Sequence, residues 1–597
     1  MPAAGLPETL ANCAGHTAQP TPNLLTTLQF LFPVSALASV LFLAPLARAT
    51  PVEVVTVDAP HAMVVAGHPE AAAAGLAVLQ AGGNAIDAAV AVSLSLGVTE
   101  PYASGLGGKL VLVYYEAKSR RVFSIDGLDR APFEFDVAAY LKLPEEAHHH
   151  GWTAVCVPGL GAGLWEAHQR WGSRPWAQNV QPAIDLARGG FIVLPKTREF
   201  FAEQEKKLRS GDAELARLYL PGGNLPATGS RLINEDLART MEAIAATGMD
   251  GFYRGAVARS IAEASHAGGN PLSMDDLSRT RAFMGEASEI DFNGYRLAGA
   301  PPPTSGAALF MTALRVLDGE KWADLNLRSV ENLDHLGRVW RLVQPLVQAQ
   351  IADTMGARYS FKQLVSQRTI EGLRQKLAAS ASPGDPTAKP VPTAMLVEEP
   401  ELAMASTTHF VIVDAQGNIV SATQSLSQHF GAGVVAPGTG VVMNDSMGNF
   451  AFRDAKSVNY LAPGKRPRTT IAPTIIFRDH RPVMALGIPG SSRIPTGMLQ
   501  VLVDALVFKR PLAEAIADTR FHFFDSPTEG EPDAIEAEDS LPADVVAALK
   551  ERGWGVDLKE APGTGRFFGG VNAVLFNADG TLTGLADQRR TNAAAGY

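Results

Sequence analysis

Five hydroxyls, those of Thr407, Thr408, Thr423, Ser425 and Ser427, fall within one short stretch of the chain. They meet only if the chain between them doubles back. The apolar runs Phe410-Val411-Ile412-Val413 and Ile419-Val420 flank Ala415-Gln416-Gly417, which reads as a three-residue hairpin turn with glycine where a left-handed conformation is needed. If Asp414 faces Asn418, the ladder sets Thr407 opposite Ser425 and His409 opposite Thr423, and a single bulge would shift that register. One reading of the hydroxyls is that Thr and Ser are ordinary strand residues. The other needs one chemical step. If the bond between Ser406 and Thr407 were cut, Thr407 would carry a free α-amine with a pKa of roughly 8, suited to act as general base for its own Oγ.

Thr407-Thr408-His409-Phe410, followed by Val413-Asp414, Gly417-Asn418 and Thr423, resembles the start of the small subunit of the γ-glutamyltranspeptidases. These are N-terminal-nucleophile hydrolases made as one precursor, and the resemblance runs from about Met63 to Tyr597. It implies an α+β fold, a four-layer αββα sandwich with two stacked sheets. It also implies self-cleavage between Ser406 and Thr407, giving a large subunit of residues 50–406 (with 376–406 as a mobile tail) and a small catalytic subunit of residues 407–597 that stay associated. The implied partner is a small-molecule amide, glutathione-like or another acyl amide. Thr407 would be the nucleophile, Ser425 would orient its amine, and the N–H groups of Gly490 and Ser491 would form the oxyanion hole. No metal or organic cofactor is called for.

The same comparison implies a donor clamp, and here the sequence departs from the family. Asp126-Gly127-Leu128-Asp129-Arg130-Ala131-Pro132 matches Asp-x-Arg-Glu-x-Ala-Pro, with Leu128 where the carboxylate-gripping Arg is expected. Arg130 lies two residues on, on the same side if the segment is extended, and is the candidate replacement. Asn449 stands at the position of an ammonium-binding Asp, and Ser427 at that of an Asn. Thr469 and Thr470, in Gly464-Lys465-Arg466-Pro467-Arg468-Thr469-Thr470, take the places of two serines that contact the donor carboxylate. Losing both charged members of the clamp would lower discrimination for a zwitterionic donor by about 10²–10⁴-fold. The resemblance therefore leaves γ-glutamyl hydrolysis or transfer, a cephalosporin acylase-like activity on another acyl group, and a non-catalytic exported scaffold as the readings to separate.

The elements that must hold these residues are legible as patterns. Met63–Ala66, Leu110–Tyr115 and Val122–Asp126 read as strands, and Glu70–Gln80 and Ala85–Leu96 as helices rich in alanine. Ser104-Gly105-Leu106-Gly107-Gly108 is a glycine run broken by Lys109, and the Gly-x4-Gly-Lys-Ser/Thr spacing of a phosphate loop is absent. Further expectations are helices over Val330–Met355 and Pro511–Arg520, a strand and turn over Gly440–Phe450, and closing strands from Asn572 to Tyr597. His148-His149-His150 reads as a solvated loop, because three adjacent imidazoles cannot face one ion. Cys156, in an apolar setting, reads as a buried, inert thiol.

With 597 residues, 46% hydrophobic and 19% charged, the chain can bury one large core or two joined ones. A formal charge of −10 without a basic block argues against nucleic acid as a partner. Residues 1–49 read as a signal peptide: an apolar run, then Ala47-Arg48-Ala49 as a small-x-small cleavage site, although no Lys or Arg precedes the run. The expectation is an exported protein, periplasmic or secreted, with no stable membrane span once the signal is removed. An uncleaved anchor is the alternative.

Overall fold

The computed structural model describes residues 52–353, 360–384, 405–524, 533–559 and 565–597, all within the unit Ala49–Tyr597. The signal segment lies outside the described residues. Two seven-stranded sheets carry the fold. The first runs Ala593–Gly596, Met63–Ala66, Ala405–Val413, Ile419–Gln428, Lys109–Glu116, Arg121–Gly127, Phe283–Glu286. The second runs Val54–Ala59, Leu582–Asp587, Asn572–Phe576, Arg481–Gly487, Thr474–Arg478, Tyr295–Gly299, Ser288–Phe292. Neighbouring strands are antiparallel throughout both.

The layering follows from the two-residue period of strands whose faces are both covered. Met63, Val65, Val113, Tyr115, Val411 and Val413 meet Ala298, Ile475, Phe477, Ala485 and Val574 of the second sheet in a core between the sheets. Val64, Ala66, Leu112, Tyr114, Phe410 and Ile412 alternate with them and face a separate core formed with the helices of the outer layer. On the far side, Leu297, Ile476, Leu486 and Ala573 pack with helices Gly306–Leu317, Val330–Gln350 and Arg493–Leu506. The order is helix, sheet, sheet, helix: the expected αββα arrangement.

Helix Ala85–Thr99 is buried along its whole length, which its small residues permit. Asn84 and Asp87 form a capping box at its start. Asp414 joins that helix to the hairpin, accepting from Ala85 N–H at 2.9 Å, from Gln416 N–H at 3.0 Å, and from Asn418 N–H and Nδ2 at 2.9 and 2.8 Å. At the other end, the Gln424 carboxamide accepts from Ser93 Oγ at 2.5 Å and donates to Ser104 Oγ at 2.8 Å. The buried polar groups of the hairpin are thus satisfied by one helix and the loop that follows it.

Several sequence expectations are corrected. The long helix stops at Gln350, short of Met355, because Arg468 Nη1 takes the carbonyl of Gln348 at 2.8 Å and Arg466 takes Asp353 just beyond. Gly440–Phe450 makes isolated bridges (Val435 with Val442, Gly107 with Met443) and a 3₁₀ turn at Ser446–Asn449, with no continuous strand. The helix expected over Pro511–Arg520 covers Leu512–Ala517, and Phe521 opens a strand. Both ends of the 376–406 stretch are regular: helix Gln367–Ala378 buries Leu377, and the strand from Ala405 buries Ser406. Residues 385–404 lie outside the described residues. His148 and His149 are buried, His148 stacking on Tyr140 and Phe452 with ring centroids 4.9 and 4.4 Å away, because aromatic neighbours close over that loop. Cys156 is buried, and burial raises its pKa well above the usual thiol range.

Asp414→Ala strips one hydrogen bond from a buried backbone donor and three from partly buried donors, and should destabilise the fold by about 2–4 kcal/mol. Thermal melting against Asp579→Ala, which removes an exposed turn contact to Thr581 that water can replace, checks this: only the first should move the midpoint.

Candidate active site

The ladder between the two central strands pairs His409 with Thr423 and Thr408 with Gln424, then jumps to Ser406 with Ser427. Thr407 is left in the bulge. Its Oγ1 lies 2.7 Å from the carbonyl oxygen of Ser406 and 3.0 Å from Ser425 Oγ. Ser425 Oγ donates to that same carbonyl oxygen and accepts from Ser427 N–H at 2.9 Å. With the Ser425 proton committed to the carbonyl, the Thr407 hydroxyl donates to Ser425, and two hydroxyls stand in series before one peptide group. The peptide is fixed on both sides: Ser406 Oγ donates to the carbonyl of Tyr102, and Arg590 Nη1 donates to the carbonyl of Thr407 at 2.9 Å.

A buried ionic cluster supports this bulge. Glu100 accepts from Tyr102 Oη at 3.1 Å and also bonds the Thr408 hydroxyl. Burial raises its pKa, with the bond from Thr408 and the charge of Arg590 acting in opposition. Burial likewise lowers the pKa of Arg590, against the pull of Glu100. Gly67 is required beside them, since a Cβ there would come within 2.4 Å of Thr408 Oγ1 and 2.3 Å of Glu100 Oε2.

Ser427, held at φ 79°, begins a polar wall next to the bulge. Its Oγ accepts from Lys109 Nζ at 2.5 Å and Asn449 Nδ2 at 3.0 Å, and lies 2.8 Å from Ser446 Oγ. Lys109 Nζ also reaches Ser446 Oγ at 2.7 Å and Asp129 Oδ2 at 3.4 Å. Asn459 ties the wall to its loop, donating to the carbonyl of Asn449 at 2.7 Å and accepting from Arg468 N–H at 3.0 Å. Sequence reasoning missed Lys109, Asp129 and Ser446 as members of this wall. The available signal was a lysine at the start of a strand apolar enough to be buried, since a buried ammonium must find partners.

Thr470 Oγ1 donates to the carbonyl of Ser491 at 2.8 Å, and the Thr469 carbonyl accepts from Ser305 N–H at 2.8 Å. Gly490 and Ser491 have φ of 137° and 55°, so Ser491 adopts the left-handed backbone its position demands. The turn they form follows strand Arg481–Gly487, whose last residue packs on the His409 ring.

Arg130 stands apart from the bonds joining Thr407, Ser425, Ser427 and Lys109. The Asp126 carboxylate accepts from Leu128 N–H at 2.9 Å, the strand ends at Gly127, and Arg130 then makes an isolated antiparallel bridge with Val157. The guanidinium of Arg130 lies over the rings of Phe133 and Phe283, at 5.6 and 5.4 Å, and burial lowers its pKa. Leu128 is buried in the apolar core of the second sheet's outer side.

The layered αββα fold is that of a class of hydrolases, and the comparisons with known proteins agree with it. The family model described as gamma-glutamyltranspeptidase matches residues 71–597, so the chain belongs to that family. It is 35% identical over 535 residues to the acylase ACY 1 proenzyme of Pseudomonas sp. (strain V22), covering 88% of this chain and 91% of the relative. It is 31% identical over 550 residues to the glutathione hydrolase proenzyme of Bacillus subtilis (strain 168), covering 89% and 91%. Among solved structures, the cephalosporin acylase from Bacillus halodurans superposes with a TM-score of 0.79 at 27% identity, covering 93% of this chain and 99% of that one.

Ser425→Ala removes a donor to the Ser406 carbonyl and the acceptor for Thr407 Oγ1. Appearance of a Thr407 N-terminus, followed by gel electrophoresis and N-terminal sequencing over time, should slow by about 10²–10³-fold.

Proposed function

We propose that the protein is a self-processing, N-terminal-threonine amidohydrolase and acyltransferase of the γ-glutamyltranspeptidase type. The observation that carries this reading is the placement of Thr407 Oγ1 against the Ser406 carbonyl, with Ser425 in series. Thr407 Oγ attacks the carbonyl carbon of Ser406 while its proton passes to Ser425, whose own proton goes to the developing oxyanion. The C–N bond then breaks, the nitrogen takes a proton, and the two segments are joined by an ester. Water hydrolyses the ester, leaving a carboxylate on Ser406 and a free α-amine on Thr407.

In turnover the α-amine, with a pKa of roughly 8, takes the Thr407 hydroxyl proton as Oγ attacks an amide, and delivers it to the leaving amine. Water or an acceptor amine then resolves the acyl-enzyme. Ser425 orients the amine, Arg590 holds the Thr407 carbonyl, and the N–H groups of Gly490 and Ser491 receive the oxyanion. Thr469 and Thr470 border the donor. Each sheet mixes strands from before and after residue 407, which supports two products, residues 50–406 and 407–597, that stay together. Export rests on the sequence of residues 1–49. Among the described residues no helix is long and apolar enough to cross a membrane.

Two donor classes are in play. γ-Glutamyl amides such as glutathione follow from the family and from the glutathione hydrolase relatives. A non-glutamyl acyl group is favoured by one specific observation: Leu128 is turned into the core and Asn449 is neutral, so neither charge of an α-amino acid meets its usual partner.

Thr407→Ala should give a single uncut chain by intact mass and no amide turnover. Wild-type protein should show the Thr407 N-terminus and hydrolyse acyl p-nitroanilides. A fully active chain with residues 406 and 407 still joined would refute the proposal.

A further inference from the structure

One turn, Glu100-Pro101-Tyr102, holds the Ser406–Thr407 bond from both sides. The carbonyl of Tyr102 accepts from Ser406 Oγ before the bond, and the carboxylate of Glu100 accepts from the Thr408 hydroxyl after it. The turn is itself tied at every residue that bonds outward. Glu100 N–H donates to the Leu96 carbonyl at 2.8 Å, closing helix Ala85–Thr99, and the Glu100 carbonyl accepts from Ala103 and Ser104 N–H at 2.7 and 3.1 Å. The Tyr102 carbonyl also takes Phe430 N–H, and the Ala103 carbonyl takes Leu426 N–H from the second strand of the hairpin, both at 3.1 Å. The Glu100 carboxylate, 1% exposed, is fixed by Tyr102 Oη at 3.1 Å and Thr591 Oγ1 at 3.4 Å.

Cutting the bond makes the two holds unequal. The contacts of Ser406, through its hydroxyl and its carbonyl, go with the departing carboxyl end. The new terminus keeps Ser425 on Thr407 Oγ1, Arg590 on the Thr407 carbonyl, and Glu100 on the hydroxyl of Thr408, the first residue past the bulge with a ladder partner. A chain end is ordered only as far as it is tied down. A reacting group displaced by about 1 Å loses roughly 10²-fold in rate.

We propose that Glu100 is a positioning residue for turnover: through the Thr408 hydroxyl it keeps the newly terminal Thr407 at attack distance, and it matters far less for the first cut, where Ser406 supplies a second hold. Glu100 itself touches no reacting atom. The inference rests on the nucleophile assignment of the preceding section and adds a residue to it.

The test separates turnover from self-cleavage in variants that leave the nucleophile in place. Thr408→Val removes the hydroxyl and keeps the shape. It should lower kcat for an acyl p-nitroanilide by about 10–100-fold, leave KM within about twofold, and change the self-cleavage rate, followed by intact mass on freshly made precursor, by less than about threefold. Thr408→Ser keeps the hydroxyl and should stay near wild type. Glu100→Gln, which weakens the bond by removing its charge, should fall between the two. Added to Thr408→Val it should cost nothing further, because both substitutions act on one bond. A role in packing alone gives the opposite pattern, in which turnover and self-cleavage fall together and the two substitutions add. Parallel loss, additive loss, or an unmoved kcat in Thr408→Val overturns the role of Glu100. Should Glu100→Gln fail to fold, Thr408→Val against Thr408→Ser, with every charge in place, decides by the same split between kcat and self-cleavage. Wild-type protein that stays joined at residues 406 and 407 and still hydrolyses the amide overturns the nucleophile assignment instead.

Discussion

One irregularity in a hydrogen-bonded ladder governs the rest of the molecule: the bulge that leaves Thr407 unpaired between Ser406 and Thr408. A regular strand would point the Thr407 side chain along the sheet normal and keep its oxygen away from the preceding carbonyl. The bulge bends the chain so that Oγ1 and the Ser406 carbonyl oxygen come to 2.7 Å. Such a kink survives only where the surroundings over-determine it. Here Ser425, Tyr102 and Arg590 each hold one atom of the Ser406–Thr407 segment, while Glu100 and the absent side chain of Gly67 fix Thr408 immediately after it.

The strands bearing this bulge lie at the middle of the first sheet, bonded to Met63–Ala66 on one side and Lys109–Glu116 on the other. The ladder continues on both sides of the bulge, from Ala405 and Ser406 before it to Thr408–Val413 after it. The apolar residues beneath belong to cores shared by segments before and after residue 407, so burial itself keeps the two segments together.

Charge around the same centre is buried and paired. Leu128 and Asn449 are uncharged, and the ammonium of Lys109, from the neighbouring strand, lies 3.4 Å from Asp129 and donates to the hydroxyls of Ser427 and Ser446. A buried cation is held in this way only when a counter-charge and further acceptors surround it.

Period and turn chemistry were legible in the chain as written. Gly417 marked the hairpin, the register from Asp414–Asn418 to His409–Thr423 followed by counting, and the layered fold followed from the family resemblance. Helix and strand ends were less legible where a distant side chain takes the last carbonyl, as Arg468 does at Gln348, and the histidines after Ala147 looked solvated because Tyr140 and Phe452 reach them only in three dimensions. By itself the sequence determined the layered fold and pointed to Thr407 as the candidate nucleophile, because both depend on local pattern or on residue type at a motif position. Tertiary structure alone decided that Thr407 sits in a bulge, that Arg130 stacks on Phe133 and Phe283, and that Lys109 bonds Ser427. Those outcomes depend on where chain segments hundreds of residues apart come to rest, and on the need of a buried ammonium for partners that no short-range pattern can supply.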